Sequence, residues 1–184
     1  MASSNVLPLF HLYGDPPDDQ AFDFIHIETI SSRSGANEWV IRAHRHRNLF
    51  QLLLIGQGGG EMSYEAATLP FMAPCAIMVP ATIAHGYRFR PEETEGFVVS
   101  FTEDATEILE AQGGAALARL RALASDPIVP LAWEDFERIN ALCSALNEES
   151  FLAREGFRLA MRGYLALIAI AVARQAASRD RTGT

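Results

Sequence analysis

Between residues 21 and 101 short β-branched and aromatic runs alternate with turn residues, and after Phe101 the hydrophobic period lengthens from that of a strand to that of a helix. That switch dictates an antiparallel sandwich or barrel first and helices second. Strands are expected near residues 23–30, 38–46, 50–55, 60–64, 68–72, 76–79, 84–89 and 96–101, enough for a jelly roll. The run from Gly56 to Gly60 supplies a flexible turn. It lacks the strand-then-helix setting of a phosphate-binding loop. Pro74, Pro80 and Pro91 punctuate the later strands, as expected where pairing must stop at edges or corners.

In the helical part, Thr102 or Asp104 can cap a helix running towards Ala124, weakened by Gly113 and Gly114 and closed by Asp126-Pro127. A second helix is marked by Trp133, Phe136, Ile139, Leu142, Cys143 and Leu146, with Glu134, Glu137, Arg138 and Glu148 on its other face. The last, over about residues 154–177, carries Phe157, Met161, Tyr164, Leu165, Ile168 and Val172 in one stripe, widened by Leu159, Leu167 and Ile170. Such a helix must bury more than one face. A homodimer seam is preferred over a hairpin with the preceding helix. The chain thus divides into an arm and barrel over 1–101 and a helical dimerisation or linker region over 102–184.

Charge and cysteine usage narrow the function classes. A formal net charge of -8 and a pI near 5.1 leave no overall footprint for a phosphate backbone, so this chain is not expected to hold DNA by itself. Cys75 and Cys143 lie far apart, and the N-terminus lacks the pattern of a secretory signal, which together favour a reducing, cytoplasmic setting. The apolar stretch from Tyr164 to Ala173 is too short to span a bilayer and reads as a buried helix.

The chemistry-bearing residues are His44-Arg45-His46, Gln51 and His85. Strand alternation places Arg42, His44 and His46 on one face, and His85, Tyr87 and Phe89 together on another strand. If those faces point inward, they build a polar cluster inside an apolar barrel. Three imidazoles and an amide can hold zinc, iron or nickel, or can hydrogen-bond an organic acid.

The segment from His44 to Gly60, with Pro74, Pro80 and His85, resembles the two sequence motifs of the cupin superfamily. Gln51 stands where that family places its carboxylate ligand, Pro74 and Thr82 stand at two glycine positions, and Phe89 replaces an asparagine. Losing the carboxylate removes the anionic ligand, and neutral ligands alone hold a divalent cation less firmly. Phe10-His11-Leu12-Tyr13-Gly14-Asp15, the strand from Phe24 to Ile30 with Ser32-Arg33-Ser34, Trp39, and His44-Arg45-His46 through Gln51-Leu52-Leu53 resemble a narrower group. They are similar to the N-terminal domain of AraC-type transcription regulators, within them the PobR-type branch that responds to 4-hydroxybenzoate or 4-hydroxyphenylacetate. The resemblance covers roughly residues 7 to 175. It implies a cupin-like barrel that senses an inducer, a homodimer, and DNA contact only through a further C-terminal domain, so the chain is expected to be one part of such a regulator.

An aromatic hydroxy-acid needs an apolar slot, a cation for its carboxylate and a polar group for its hydroxyl. Arg42 is the expected carboxylate partner. His44, His46 and His85 serve either end, with Gln51 and Tyr87 as neutral partners. Leu53, Phe89 and Val98 are expected to wall the ring, with Phe50 and Trp39 behind them, and Ser100 to reach the hydroxyl. The segment from Leu7 to Tyr13 is expected to close over the barrel mouth, as the resemblance to the arabinose regulator implies. His26 and Glu28 alternate along their strand as exposed same-face neighbours. A non-catalytic sensor without cofactor is the leading reading. The alternatives are a small metal-dependent cupin enzyme, a dioxygenase or isomerase, using His44, His46, Gln51 and His85, and an assembly module that binds nothing small.

Overall fold

The structure, a computed structural model, describes residues 24–35, 38–106 and 115–182. The expected arm falls outside them, as does the Gly113-Gly114 pair. All eight expected strands are present: β1 Ile25–Thr29, β2 Val40–His44, β3 Leu49–Gln57, β4 Gly59–Tyr64, β5 Ala67–Met72, β6 Cys75–Val79, β7 His85–Phe89 and β8 Glu95–Thr102. A short strand β9, Ile128–Pro130, was not anticipated from the sequence, because three residues are too few to show alternation. The strands pair antiparallel in two sheets, ordered β1-β8-β3-β6-β9 and β2-β7-β4-β5, the interleaved order of a cupin-like jelly roll. Helix α1, Ile30–Gly35, also escaped the sequence pattern. Its one turn is polar, and it is held locally by the Ser34 hydroxyl donating to the Ile30 carbonyl at 2.5 Å.

Strand β3 explains how barrel and helices share one protein. Its run Leu49-Phe50-Gln51-Leu52-Leu53-Leu54-Ile55 is apolar at nearly every position and buried throughout, the pattern of a strand covered on both faces. Leu53 and Ile55 point between the sheets, with Ile41, Met62, Phe71, Phe89 and Val98. Phe50, Leu52 and Leu54 point the other way, into a second core with Phe101 of β8 and Ile139, Leu146, Leu165 and Ile168 of the helical part.

That part comprises α2 Ala115–Ala122, α3 Trp133–Leu152 and α4 Phe157–Thr182, with short 3-10 turns at Asp104–Thr106 and Leu123–Ser125. The last two helices form a hairpin. Ala153 ends α3 in the left-handed conformation, φ 45, with its N–H donating to the Glu149 carbonyl at 3.0 Å, and Gly156, φ 81, opens the way to α4. Helix α3 is seated on the barrel through Phe136, whose ring fills the space where a side chain at Gly56 would stand.

The expected seam is corrected by this packing. Met161, Leu165, Ile168 and Val172 are buried within the chain, and Phe157 and Tyr164 lie half-buried against the same core, because the helix packs on α2 and α3 and on β9 at the edge of the larger sheet. What α4 leaves to solvent is Leu159, 73% exposed, and Leu167, 52% exposed. The helix is also longer than the ten-residue stretch that looked too short to span a bilayer. Residues 157–179 are long and apolar enough to cross one by length and composition, and here α4 packs one face on α2 and α3.

Candidate functional site

The interior face of the larger sheet is built in rows by its register. One row crosses the sheet as His26, Ser100, Gln51 and Val79; the next as Glu28, Val98, Leu53 and Ile77. Opposite them, β2 and β7 place His44 directly across from His85. The polar row and the histidines meet at one end of the interior, and the apolar row continues away from it.

A register shift between Ile41 and His44 corrects the expectation for Arg42. The extra residue lets Ile41 and His44 both face inward, so Arg42 turns to solvent on the outer surface. His44 and His46 do share the interior, each 1% exposed, as does His85. Phe50 is corrected too: it stacks on Phe101 at 5.6 Å in the helix-facing core, because its parity is opposite to that of Gln51 and Leu53. Leu53, Tyr87, Phe89, Val98 and Ser100 lie inside as expected, and Trp39 packs half-buried against their cluster. The residue that alternation did not reveal is Arg33. It lies on α1, 8% exposed, and pairs with Glu28 on the interior face of β1. No strand period governs a helical turn, so only the SRS sequence itself marked the place.

Hydrogen bonding sets the histidine tautomers. His44 Nδ1–H donates to the Arg42 carbonyl and His85 Nδ1–H to the Ile83 carbonyl, each at 2.8 Å, which leaves each Nε2 as a lone pair. His46 Nε2 lies 3.2 Å from His44 Nε2 and can donate to it. Gln51 Oε1 stands 2.9 Å from His85 Nε2, two acceptors face to face, while its amide nitrogen is 3.3 Å from Ser100 Oγ. Turning the amide over satisfies all three groups; a cation between the two acceptors would satisfy them without the turn. Burial pushes His44 down to about 4, helped by His46 and Arg33 against the Arg42 carbonyl. Burial likewise takes His85 to about 3, with His44 the next cause. Both rings are therefore neutral at pH 7.

The donor set fits a divalent ion. One nitrogen from each of His44, His46 and His85 falls within 4.8 Å of the others, and backbone carbonyls fix two of the rings from behind, as outer partners of metal-bound imidazoles do. The same neutral set can hydrogen-bond a small organic ligand. Tyr87, 4% exposed, stands one interior position along from His85 with ring centroids 5.9 Å apart, and stacks on Phe89 at 5.5 Å. Its hydroxyl is buried without a hydrogen-bond partner among the described residues, whereas Tyr64 donates to the Ala124 carbonyl at 2.8 Å. Thr82 holds φ 71, the left-handed conformation that the glycine of the resembled motif would take, and its N–H donates to the His46 carbonyl at 2.8 Å. His26 and Glu28 share a partly exposed face, 3.7 Å apart. Cys75 and Cys143 are free and buried, each thiol raised by burial to about 12, so neither is a reactive nucleophile.

No protein-family model matches the chain, and neither does any curated protein sequence. Among solved structures it is similar to the cupin domain of Cnp3 from Schizosaccharomyces pombe, at 16% identity and a TM-score of 0.33 over 40% of this chain and 53% of that one. It is similar to a cupin protein from Bacteroides fragilis at 11% identity and a TM-score of 0.31, over 42% of this chain and 63% of that one. A cupin 2 conserved barrel domain protein from Salinispora arenicola gives 15% identity and a TM-score of 0.32, over 40% and 66%. The chain thus spans about half to two-thirds of these neighbours, and the jelly-roll assignment rests on the strand order of the barrel itself.

Proposed function

We propose that this chain is the effector-sensing and dimerisation part of an AraC-type transcription regulator, and that a small aromatic hydroxy-acid, 4-hydroxybenzoate first and 4-hydroxyphenylacetate next, occupies the barrel interior. The observation that carries the reading is Tyr87. A buried hydroxyl without a partner among the described residues, beside neutral histidines and an apolar wall of Leu53, Phe89 and Val98, is costly unless a ligand completes it. The reading places the protein in the cytoplasm and assigns it no catalysis. Binding shifts an existing equilibrium between barrel–helix arrangements, by no more than the difference in inducer affinity between them. Calorimetric titration of the whole chain is expected to give saturable heat with 4-hydroxybenzoate or 4-hydroxyphenylacetate and none with arabinose, and His85→Ala to weaken binding by roughly 10-fold. Absence of heat from any aromatic acid up to millimolar concentration overturns it.

A second reading is favoured by the backbone-fixed tautomers of His44 and His85. In a metal-dependent cupin enzyme, His44, His46 and His85 would hold a divalent ion with the Gln51 amide oxygen as fourth ligand, and the ion would supply Lewis acidity. Stoichiometric zinc, nickel or iron in the purified protein, lost in His46→Ala, supports this second reading over the first.

For the homodimer, the exposed face of α4 replaces the buried stripe. Leu159 and Leu167 flank Gly163, where an added side chain would meet nothing within 4 Å, so a glycine that costs about 1 kcal/mol of helix propensity has no use inside the chain. A second copy of α4 crossing antiparallel there uses that space. It also sets exposed Glu155, in the turn before one helix, towards exposed Arg174 near the end of the other. Sedimentation is expected to find a dimer that Leu159→Glu converts to monomer; a wild-type monomer at micromolar concentration removes this interface.

A further inference from the structure

We infer that residues 124–131 form a strap that couples the histidine end of the barrel to the last turns of α4, fastened by Tyr64 at one end and Arg179 at the other. The inference rests on the sensor reading above and names the element that carries its signal. The first fastening starts inside the barrel. Tyr64 stands directly across from His85 in the β4–β7 pairing, as His44 does in the β2–β7 pairing, so the three residues form one row of the smaller sheet. The Tyr64 ring belongs to the buried interior cluster, yet its hydroxyl leaves the sheet and donates to the Ala124 carbonyl at 2.8 Å. The second fastening comes from outside. One terminal nitrogen of Arg179, in the last turns of α4, donates to the Ile128 carbonyl at 2.6 Å, and the other meets the Asp126 carboxylate at 2.8 Å.

Between these points the strap is stitched to β6. The Met78 N–H donates to the Pro127 carbonyl at 2.9 Å and the Leu131 N–H to the Pro74 carbonyl at 3.0 Å, on either side of the pairing of Ile128 with Ile77 and Val129 with Ala76. Ile128 packs against the interior cluster and Val129 is buried in the helix-facing one, so this segment touches both cores at once. Its position therefore depends on what fills the barrel and on how α4 lies. Ala124 is half-buried and Asp126 exposed, so water can stand in for the Tyr64 hydroxyl or the Arg179 guanidinium when either withdraws. That gives the strap a fastened and a loosened arrangement, the two-state element that coupling between distant sites requires. An effector seated at the histidines lies beside the Tyr64 ring. By shifting that ring it releases the Ala124 carbonyl and, through Asp126 and Ile128, the end of α4.

The test follows amide hydrogen exchange of the whole chain, with residues 172–182 of α4 as the reporter and α3 as the control. Tyr64→Phe, which deletes only the hydroxyl, is expected to speed exchange in 172–182 by about fivefold while α3 stays within about twofold, the loss of one hydrogen bond to the strap. Arg179→Gln is expected to speed exchange in β4 by about threefold, because coupling is reciprocal. The double variant is expected to match the larger single effect in 172–182, since both changes loosen one element. Unchanged exchange in 172–182 in Tyr64→Phe, a rise shared equally by α3, or single effects that multiply in the double variant overturns the inference. If Tyr64→Phe does not fold, Arg179→Gln decides: unchanged exchange in β4 overturns it. With saturating 4-hydroxybenzoate, wild type is expected to show altered exchange in 172–182, and Tyr64→Phe to bind within about threefold of wild type without that alteration. Binding that leaves 172–182 unaltered in wild type, or alters it equally in Tyr64→Phe, overturns the strap and leaves the sensor reading standing. Absence of binding removes the sensor reading, and the unliganded variants still decide the strap.

Discussion

Between pH 7 and pH 5 the protein is expected to lose about 4 kcal/mol of unfolding free energy, roughly 2 from each of His44 and His85. Burial is the largest cause for both, taking His44 from 6.5 to about 4 and His85 to about 3, so the folded rings stay neutral in this window while the unfolded rings take up protons below 6.5. The unfolded state therefore binds more protons, and stability is complete above pH 6.5 and falls as pH drops towards the folded values. Glu28 adds to the loss only lower, since its folded value is depressed from 4.5 and its contribution disappears as pH passes below that. Urea midpoints at pH 7, 6 and 5 check this. A drop of 4 kcal/mol corresponds to roughly 8–16 °C in Tm for a chain of this size. The double variant His44→Gln/His85→Gln should flatten the dependence, and a wild-type loss below about 1 kcal/mol would show that these rings are not buried neutral.

Gly96→Ala is expected to cost about 3 kcal/mol or more, with Tm lower by roughly 6–12 °C. Gly96 sits opposite Ile55 in the β8–β3 pairing at φ 156, and an added Cβ would fall inside the Leu54 carbonyl oxygen and 3.2 Å from Ile30 Cδ1. The first obstacle is backbone in the middle of the larger sheet. No side chain can swing aside to relieve it, so the strands must separate locally. Thermal unfolding followed by circular dichroism measures the loss, and a variant within 1 kcal/mol of wild type would mean that β8 and β3 do not approach so closely.

The strands were legible because each shows two-residue alternation or, for β3, an unbroken apolar run between turns. Gln51, His85, Tyr87, Val98 and Ser100 could be placed inside from parity alone, and the register confirms that Gln51 and Ser100 face one another. Parity failed at Arg42 because one extra residue between Ile41 and His44 reverses every face before it, and nothing in the residue types marks such a shift. Arg33 was out of reach for a different reason: its position depends on α1 folding back over β1, a tertiary event. The long stripe on α4 was correctly seen as buried. Whether a partner or the chain itself buries it depends on which apolar surface stands nearest, and here that is the pair of preceding helices, α2 and α3.

The two-sided burial of β3 makes the barrel interior and the helix docking separately variable along one nine-residue segment. Exchanges at 51, 53 and 55 change what lies between the two sheets while 50, 52 and 54 go on packing against the helical part, and the reverse holds equally. A lineage could thus alter the barrel interior without rebuilding the helical layer that packs outside it.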